Sequence, residues 1–467
     1  MNYCTHNGRL CLRNVFNFVL LSFFMVSCHK TNDLKPAGSM SSDAVSLRAA
    51  GSKPNIILII GDDIGVEVPT YSGGSSYSTP NLDFMAQNGI QFSQCYCHPD
   101  GFPSRLAILT GKYNFRNYFV WGYLPPSEKT IGNMLHDAGY ATCFAGKWQM
   151  SGGDTALHNA GFDKYRVFLP FGKSTHEDQR VGRYKSPILY ENGAYLADSV
   201  VNGKYSADMY VDYMSKFIDS NKTNPFFIVY ASNLCGKPYV PTPDDPQFAN
   251  WNPETDDAHS SKKFYPSMVK YMDKTIGQVI QKVADAGLAQ NTLIIYTADN
   301  GTERTITSVY NGTTVNGGHT TTSYFGTKQS CVAYWPGTVA AGQSKDNLMD
   351  FTDFLSTFAD VAGVPKPTTY GQLDGVSFYD NLLGTPGTDR SWVFCHWDNN
   401  PQDAGQKQLY RWVNNKDYKL YDSVNNSYFF KISQDIYEQN PLRNSQLTKS
   451  EKQLKRSFQA VLDSLNN

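Results

Sequence analysis

Three runs of apolar residues constrain the fold of this chain more than any other feature. They occupy residues 54–60, 225–230 and 292–297, and none of them contains a charged side chain. A continuous apolar run of this length is typical of a strand that is buried on both faces of a mixed or parallel sheet. The sequence therefore predicts a large sheet with helices covering both sides.

Helical and strand patterns alternate along the rest of the chain. Residues 130–138 and 265–286 have helical spacing, and Thr79 is placed to cap a further helix. From about Ser391 onward, short aromatic runs predict a small antiparallel sheet, followed by a helix over 449–465. We therefore predict an α/β fold with a large, mixed, mostly parallel sheet sandwiched by helices, and a small C-terminal antiparallel sheet plus helix.

The N-terminus has the features of an export signal. An apolar stretch over residues 15–26 follows basic residues and is too short to span a bilayer as a stable helix. The segment Met25-Val26-Ser27-Cys28 resembles a bacterial lipobox. We therefore expect a lipoprotein signal peptide over 1–28 and a flexible tether over 29–52. The protein would then be an exported lipoprotein of the bacterial envelope, in the periplasm or on the outer-membrane surface, held to the membrane only by a lipid on Cys28. An ordinary secretory signal is the alternative.

Charge and cysteine content limit the partners and the cross-links. The formal net charge is −1 over 467 residues, which excludes a general electrostatic attraction to nucleic acid or to anionic lipid. We expect no nucleic-acid partner, and any anion site must be local. Six cysteines follow residue 28; their spacing fixes no disulfide pairing, and most are expected to be buried apolar side chains.

Polar side chains follow the first and the third apolar run. Asp62 and Asp63 follow the first, and Asp299 and Asn300 follow the third. Open α/β sheets place their sites at the carboxyl ends of strands. Carboxylate and amide oxygens are the ligands that Ca²⁺ accepts in a loose geometry, so the four side chains are a candidate metal site. Each pair on its own is also a common turn or capping sequence.

The run Asp100-Gly101-Phe102-Pro103-Ser104-Arg105 is the most informative motif. It resembles the Cys-x-Pro-Ser-Arg signature of the type I sulfatases, in the alkaline phosphatase superfamily, with glycine in place of the cysteine. Further segments match that family in the same order, namely Gly146-Lys147-Trp148, Asp299-Asn300-Gly301, Trp335-Pro336-Gly337 and 435–442. The resemblance extends over residues 54–442. It implies a catalytic-type domain over 53–390, a small subdomain over 391–467, and relatives that hydrolyse sulfuric esters of sulfated glycans.

The resemblance also implies a role for each matching residue. The positions of the family's calcium ligands are held by Asp62, Asp63, Asp299 and Asn300, and Mg²⁺ is the alternative ion. Arg105 matches an arginine that steadies the formylglycine made from the family's cysteine, and Lys147 matches a lysine that holds sulfate oxygens. For both cations, a structural salt bridge is the alternative role.

Four positions depart from the family pattern. Gly101 stands where the family has its nucleophile, Gln149 and Gly236 stand where it has histidines that move protons, and His319 stands where it has a second sulfate-binding lysine. Glycine has no side chain to oxidise, so we expect no formylglycine. The resemblance then implies weak or absent hydrolysis, with retained binding of calcium and of sulfated or otherwise acidic carbohydrate.

Two other functions remain open at this point. Metal-bound water could attack a sulfate or phosphate ester, with His319 or His98 assisting proton transfer, or the chain could be an interaction protein of the envelope without a metal. We do not expect Cys97 to substitute for the missing cysteine, because no Ser-Arg follows it, and Asp100 is favoured as a helix cap over a metal ligand. Substrate specificity would lie in the loops 172–205 and 241–261.

Overall fold

The computed structural model describes residues 53–171, 182–402 and 408–465. The predicted signal peptide, tether and lipid on Cys28 lie outside these residues and remain predictions. No helix within the described ranges is long and apolar enough to cross a membrane.

Twelve helices and seventeen strands alternate along the described residues. The helices are α1 (Pro80–Asn88), α2 (Gly101–Thr110), α3 (Ile131–Asp137), α4 (Gly153–Asn159), α5 (Asp198–Val201), α6 (Ser206–Ser220), α7 (Pro253–Asp256), α8 (Tyr265–Asp285), α9 (Tyr324–Thr327), α10 (Asp353–Ala362), α11 (Tyr379–Leu383) and α12 (Lys449–Ser464). The strands are β1 (Asn55–Gly61), β2 (Ile90–Tyr96), β3 (Ala141–Lys147), β4 (Lys164–Phe168), β5 (Tyr190–Glu191), β6 (Ala194–Tyr195), β7 (Phe226–Ala231), β8 (Thr292–Ala298), β9 (Thr307–Tyr310), β10 (Thr313–Asn316), β11 (Lys328–Tyr334), β12 (Gln343–Lys345), β13 (Met349–Asp350), β14 (Val393–Asp398), β15 (Leu409–Asn414), β16 (Lys419–Tyr421) and β17 (Phe429–Phe430).

The large sheet confirms the predicted fold class. Its strand order is β12-β2-β11-β8-β1-β7-β3-β4-β5-β6, and β13 also pairs with β2. The central strands β8, β1, β7, β3 and β4 run parallel to one another, whereas β11 is antiparallel to both β8 and β2 and β5 is antiparallel to β4. The three apolar runs of the sequence are the adjacent strands β7, β1 and β8 at the centre of the sheet.

Both faces of the sheet are covered by helices, as the apolar runs predicted. Every residue of β1 is buried, and its side chains alternate between two cores. Ile56, Leu58 and Ile60 pack with residues of α2, α3 and α10 on one face. Ile57 and Ile59 pack with residues of α1, α6 and α8 on the other face. A strand that packs against apolar side chains on both faces carries polar side chains only at its ends.

Helix α1 is capped differently from the prediction. Thr79 stands at the N-cap position but its side chain bonds no helical N–H group; its hydroxyl lies 2.8 Å from that of Thr70. Asp273 of α8 provides the cap instead, because its carboxylate accepts hydrogen bonds from the N–H groups of Asn81 at 3.0 Å and Leu82 at 2.9 Å. A carboxylate near a helix N-terminus is favoured by the helix dipole, so this contact joins two helices that are distant in sequence.

A second, antiparallel sheet forms the C-terminal part, as predicted from residue 391 onward. Its strand order is β14-β15-β16-β17, and Phe458 and Leu462 of α12 pack into its core. The described residues of both sheets belong to one compact unit, and the subdomain boundary at 390/391 remains a prediction. All six described cysteines are buried and free of disulfides, in agreement with their expected role as apolar side chains.

Glu67 is a buried carboxyl in the segment between β1 and α1. Its side chain has no exposed surface, and the neighbouring Gly65 makes room for it, since a Cβ atom there would lie 2.2 Å from Oε2 of Glu67. Burial raises the pKa of Glu67 from 4.5 to about 7, and the Thr302 hydroxyl only partly opposes this shift. Burial therefore favours the protonated carboxyl.

We predict that the stability of the protein falls as the pH rises from about 4.5 to about 7, because the unfolded chain releases the Glu67 proton there while the folded chain keeps it. Glu67→Gln should remove this part of the pH dependence and raise the free energy of unfolding at pH 8 by about 3 kcal/mol. Urea unfolding at pH 5 and pH 8 measures both effects. Glu254→Gln, at an exposed position, is the control, and an equal pH dependence in the parent and in Glu67→Gln would contradict the prediction.

Candidate active site

The carboxyl ends of β1 and β8 bring the predicted acidic residues together. The two strands pair in parallel up to Gly61 and Ala298, so the residues that follow them are neighbours. Carboxylate oxygens of Asp62, Asp63 and Asp299 all lie within 4.8 Å of one another, and Nδ2 of Asn300 donates to Oδ1 of Asp63 at 2.8 Å. We call these four residues the acidic cluster.

The acidic cluster fits a hard divalent cation. Its donors are carboxylate and amide oxygens, which Ca²⁺ and Mg²⁺ prefer, and the three carboxylates are already close enough to share one ion. Asp62 and Asp299 are each 1% exposed. Burying carboxylates this deeply is costly unless cations or hydrogen-bond donors compensate the charge.

Helix α2 starts at the edge of the acidic cluster. Asp100 is its N-cap and accepts a hydrogen bond from the N–H of Phe102, which confirms the capping role. Gly101 is the first helical residue and is buried. A Cβ atom at Gly101 would lie 2.2 Å from Oδ2 of Asp299 and 2.8 Å from Oδ1 of Asn300. The two cluster side chains therefore occupy the space that a side chain at position 101 would need.

Two of the predicted cations form ion pairs with the acidic cluster. Nη1 of Arg105 lies 2.6 Å from Oδ2 of Asp299, and both side chains are 2% exposed. Nζ of Lys147 lies 2.6 Å from Oδ1 of Asp62 and 3.9 Å from Oδ2 of Asp299. Burial lowers the pKa of Lys147, and the charge of Asp299 opposes this change. Both residues therefore contact the carboxylates that the sequence predicted as metal ligands.

Lys147 reaches the cluster because β3 ends beside β7. Gly146 pairs with Ala231 of β7 and has a φ of 105°, a left-handed conformation that favours glycine. A Cβ atom at Gly146 would lie 1.8 Å from the carbonyl oxygen of Ala231. Glycine at this position lets the two strands stay paired up to the point where Lys147 projects towards Asp62.

Arg183 is a third cation at the cluster, and the sequence did not predict it. Its Nη2 forms an ion pair with Oδ2 of Asp62 and also donates to the carbonyl oxygen of Asn233 at 3.1 Å. Its Nη1 donates to the carbonyl oxygen of Lys237 at 2.7 Å. A Cβ atom at Gly236 would lie 2.2 Å from Nη2 of Arg183, so the guanidinium fills the space beside this glycine. In the sequence, Gly236 was the one indication of this contact, because a residue without a side chain leaves space for a side chain from elsewhere in the chain.

The other predicted positions also lie at the cluster. Oε1 of Gln149 accepts a hydrogen bond from Nη2 of Arg105 at 2.7 Å. Nδ1 of His319 lies 3.7 Å from Oδ1 of Asp63 and 3.9 Å from Oε2 of Glu303. The structure therefore gathers every predicted site residue around the carboxylates of Asp62, Asp63 and Asp299.

Neither His98 nor Cys97 has the environment of a reactive group. His98 is 3% exposed, and burial lowers its pKa to about 3; no hydrogen bond among the described residues joins its ring to the acidic cluster. Burial also raises the pKa of the Cys97 thiol, whose Sγ lies 3.7 Å from the carbonyl oxygen of Gly326. The suggested proton transfer by His98 has no support in this geometry, whereas the ring of His319 lies next to Asp63.

A cleft of about 1010 Å³ adjoins the cluster. Its lining includes Arg183, which contacts Asp62, and residues 185–203 and 251–258 provide most of the rest. These segments fall within the two loops that the sequence marked as specificity loops. Arg183 is thus common to the acidic cluster and to the cleft.

Comparison with known proteins places the chain in a group of related enzymes. The family model described as Sulfatase matches residues 54–364. The chain is 29% identical to the N-acetylgalactosamine-6-sulfatase of Mus musculus over 407 residues, which is 79% of this chain and 74% of that protein. It is 29% identical to the arylsulfatase A of Bos taurus over 378 residues, 74% of this chain and 71% of that protein. The crystal structure of Ps i-CgsB in complex with k-i-k-neocarrahexaose superimposes with a TM-score of 0.70 at 23% identity, covering 88% of this chain and 92% of that one.

We predict that Arg105→Met destabilises the chelator-treated protein by about 3 kcal/mol, because it removes the nearest cation of the buried Asp299 carboxylate and leaves Lys147 at 3.9 Å. Denaturant unfolding in excess chelator measures the loss. Lys216→Met, which removes an exposed pair with Asp212, is the control and should cost no more than about 1 kcal/mol. An equal loss of unfolding free energy in the two variants would show that the buried Arg105 pair contributes no more to stability than an exposed pair does.

Proposed function

The chain belongs to the sulfatase family, and we propose that it binds calcium and sulfated carbohydrate while lacking the group that begins sulfate-ester hydrolysis. The observation that carries this proposal is the position of Gly101. It starts α2 directly against Asp299 and Asn300, where the family resemblance expects the nucleophile. The four residues that match the calcium ligands of the family, Asp62, Asp63, Asp299 and Asn300, are present around it.

The geometry favours calcium over magnesium. Oxygens of Asp62 and Asp299 already accept contacts from Lys147, Arg183 and Arg105, so a cation must either share these ligands with side-chain donors or displace a donor. Ca²⁺ tolerates irregular coordination by six to eight oxygens, whereas Mg²⁺ demands near-octahedral geometry. When bound, the ion would polarise the oxygens of an anionic ester.

Charge balance supports an anionic ligand. The three carboxylates of the cluster face three cations, so the site has no net formal charge by itself. The carboxylates are Asp62, Asp63 and Asp299, and the cations are Arg105, Lys147 and Arg183. A bound divalent cation would leave a charge of +2 in a buried site of low dielectric, which strongly favours a sulfate group beside it.

The same residues argue against efficient hydrolysis. Gly101 and Gly236 offer no side chain, and the Gln149 amide hydrogen-bonded to Arg105 is not a proton donor or acceptor of useful pKa. Removing the nucleophile of a hydrolase typically lowers turnover by about 10⁶. The protein's own groups can hold and orient an ester, but among the described residues none of these three positions can attack it or protonate its leaving group.

Aromatic side chains near the site support carbohydrate as the ligand. Trp121 is 37% exposed, and its ring lies 5.8 Å from that of Phe102, the residue after Gly101. Trp251 lines the cleft, with its Nε1 donating to Asp257 at 2.8 Å. Aromatic rings in the cleft and next to Phe102 suit a ligand that combines apolar ring faces with a sulfate group.

We predict that calcium stabilises the parent protein and not Asp63→Asn. The described ion pair of Asp63 is with His319 and not with a lysine or arginine, so this substitution removes one negative charge from the metal site without stranding a buried cation. At a calcium concentration of 100 Kd the parent should gain about 2.7 kcal/mol, and calorimetry should detect a sulfated monosaccharide only in the calcium-loaded parent. Asp360→Asn, at a partly exposed position on α10, should behave as the parent. A parent whose melting temperature is equal in calcium and in chelator would instead favour the interaction protein without a metal.

We also predict that the purified protein turns over aryl sulfate at least about 10⁵-fold more slowly than an active sulfatase measured alongside it. Aryl phosphate and a phosphodiester serve as further substrates. Substantial turnover that disappears in both Asp63→Asn and His319→Ala would reject the proposal in favour of attack by metal-bound water.

A further inference from the structure

We propose that Arg183 couples cation binding to anion binding, because its guanidinium must leave Asp62 when a divalent cation binds there. Once displaced, it supplies the positive charge that an anionic ligand meets in the adjoining cleft. This inference rests on the proposed function and assigns a role to a residue that the family motifs do not include.

Both carboxylate oxygens of Asp62 are occupied by protein cations. Lys147 lies on Oδ1 at 2.6 Å, and Arg183 lies on Oδ2. A cation that uses Oδ2 as a ligand therefore competes with the Arg183 guanidinium for the same atom. Of the three cluster cations, Arg183 is the most exposed, with 14% of its side-chain surface accessible against 2% for Arg105 and 11% for Lys147.

The competing position of Arg183 is part of the fold. The carbonyl oxygens of Asn233 and Lys237 hold the guanidinium over Asp62, and the backbone of the same turn is tied to Asp62, whose N–H donates to the carbonyl oxygen of Leu234 at 2.9 Å. Gly236 leaves the necessary space, since a Cβ atom there would lie 2.2 Å from Nη2 of Arg183. The fold itself thus places a guanidinium on Asp62.

The cleft gives the displaced guanidinium a place to act. Arg183 lines the cleft together with one other described cation, Lys185, and with the three acids Asp198, Glu254 and Asp257. Nζ of Lys185 already donates to the carbonyl oxygens of Phe248 at 2.7 Å and Ala249 at 3.0 Å. The described lining is therefore not cationic by itself, and Arg183 is the group able to turn towards an anion there.

The Arg183 guanidinium competes with the cation for Asp62 and attracts the anion in the cleft, and these two effects together amount to thermodynamic coupling. A cation on Asp62 frees the guanidinium for the anion, and an anion that holds the guanidinium exposes Asp62 to the cation. Linkage requires that each ligand tighten the other by the same factor. Direct attraction between the two ligands contributes to this factor in every variant, whereas the contribution of Arg183 disappears when its charge is removed.

The test is calorimetric titration of the full-length protein with calcium, with and without saturating inorganic sulfate. Arg183→Gln keeps hydrogen-bonding groups but removes the charge, and we expect it to bind calcium about tenfold more tightly than the parent does. We expect sulfate to tighten calcium binding in the parent at least about fivefold more than in Arg183→Gln. Arg183→Lys, a second variant in case the first is unstable, keeps the charge without the fork that spans Asp62 and Asn233, and it should fall between the two.

Lys185→Gln is the matched control, because it removes a cation from the same cleft that has no described contact with the acidic cluster. Its calcium affinity should stay within about twofold of the parent value. Equal calcium affinity in the parent and in Arg183→Gln, or an equal gain in Lys185→Gln, would overturn the inference while leaving the proposed function intact. A parent that binds neither calcium nor sulfate would overturn both.

Discussion

The pairing of buried carboxylates with buried cations is the interaction on which the site depends. Parallel pairing of β1 and β8 forces Asp62 and Asp299 together at the sheet edge, where their mutual repulsion would be large in a medium of low dielectric. Arg105, Lys147 and Arg183 offset that repulsion, each from a different element. These ion pairs therefore attach three elements to the centre of the sheet, namely α2, the end of β3 and the loop that carries Arg183.

The sequence predicted the framework because the framework depends on local pattern. The strands β7, β1 and β8 are continuous apolar runs, and a run of that kind has few alternatives to a doubly covered strand. Helix α12 was predicted over 449–465 and is observed over Lys449–Ser464. The predicted capping of α1 by the Thr79 side chain was wrong, because Asp273 of α8 accepts the hydrogen bonds from the first N–H groups of the helix. Contacts between distant segments leave no periodic signal in the sequence.

The sequence predicted those site residues that belong to recognisable family motifs, and it missed the others. Ordered matches to a known family placed the acidic cluster, Arg105, Lys147, Gln149 and His319 in one location, and the structure brings them together. Arg183 belongs to no motif, and only the three-dimensional gap beside Gly236 explains it. His98 was one of two histidines suggested for proton transfer, but its buried ring has no bond to the cluster among the described residues.

The two glycines at the site limit which substitutions the site can accept. A new side chain at position 101 would meet Asp299, and one at position 236 would meet Arg183; each of these neighbours is committed to a buried ion pair. A side chain at either position would therefore force the neighbouring ion pair to rearrange. Either glycine can be replaced at low cost only together with a second substitution that makes room for the new side chain.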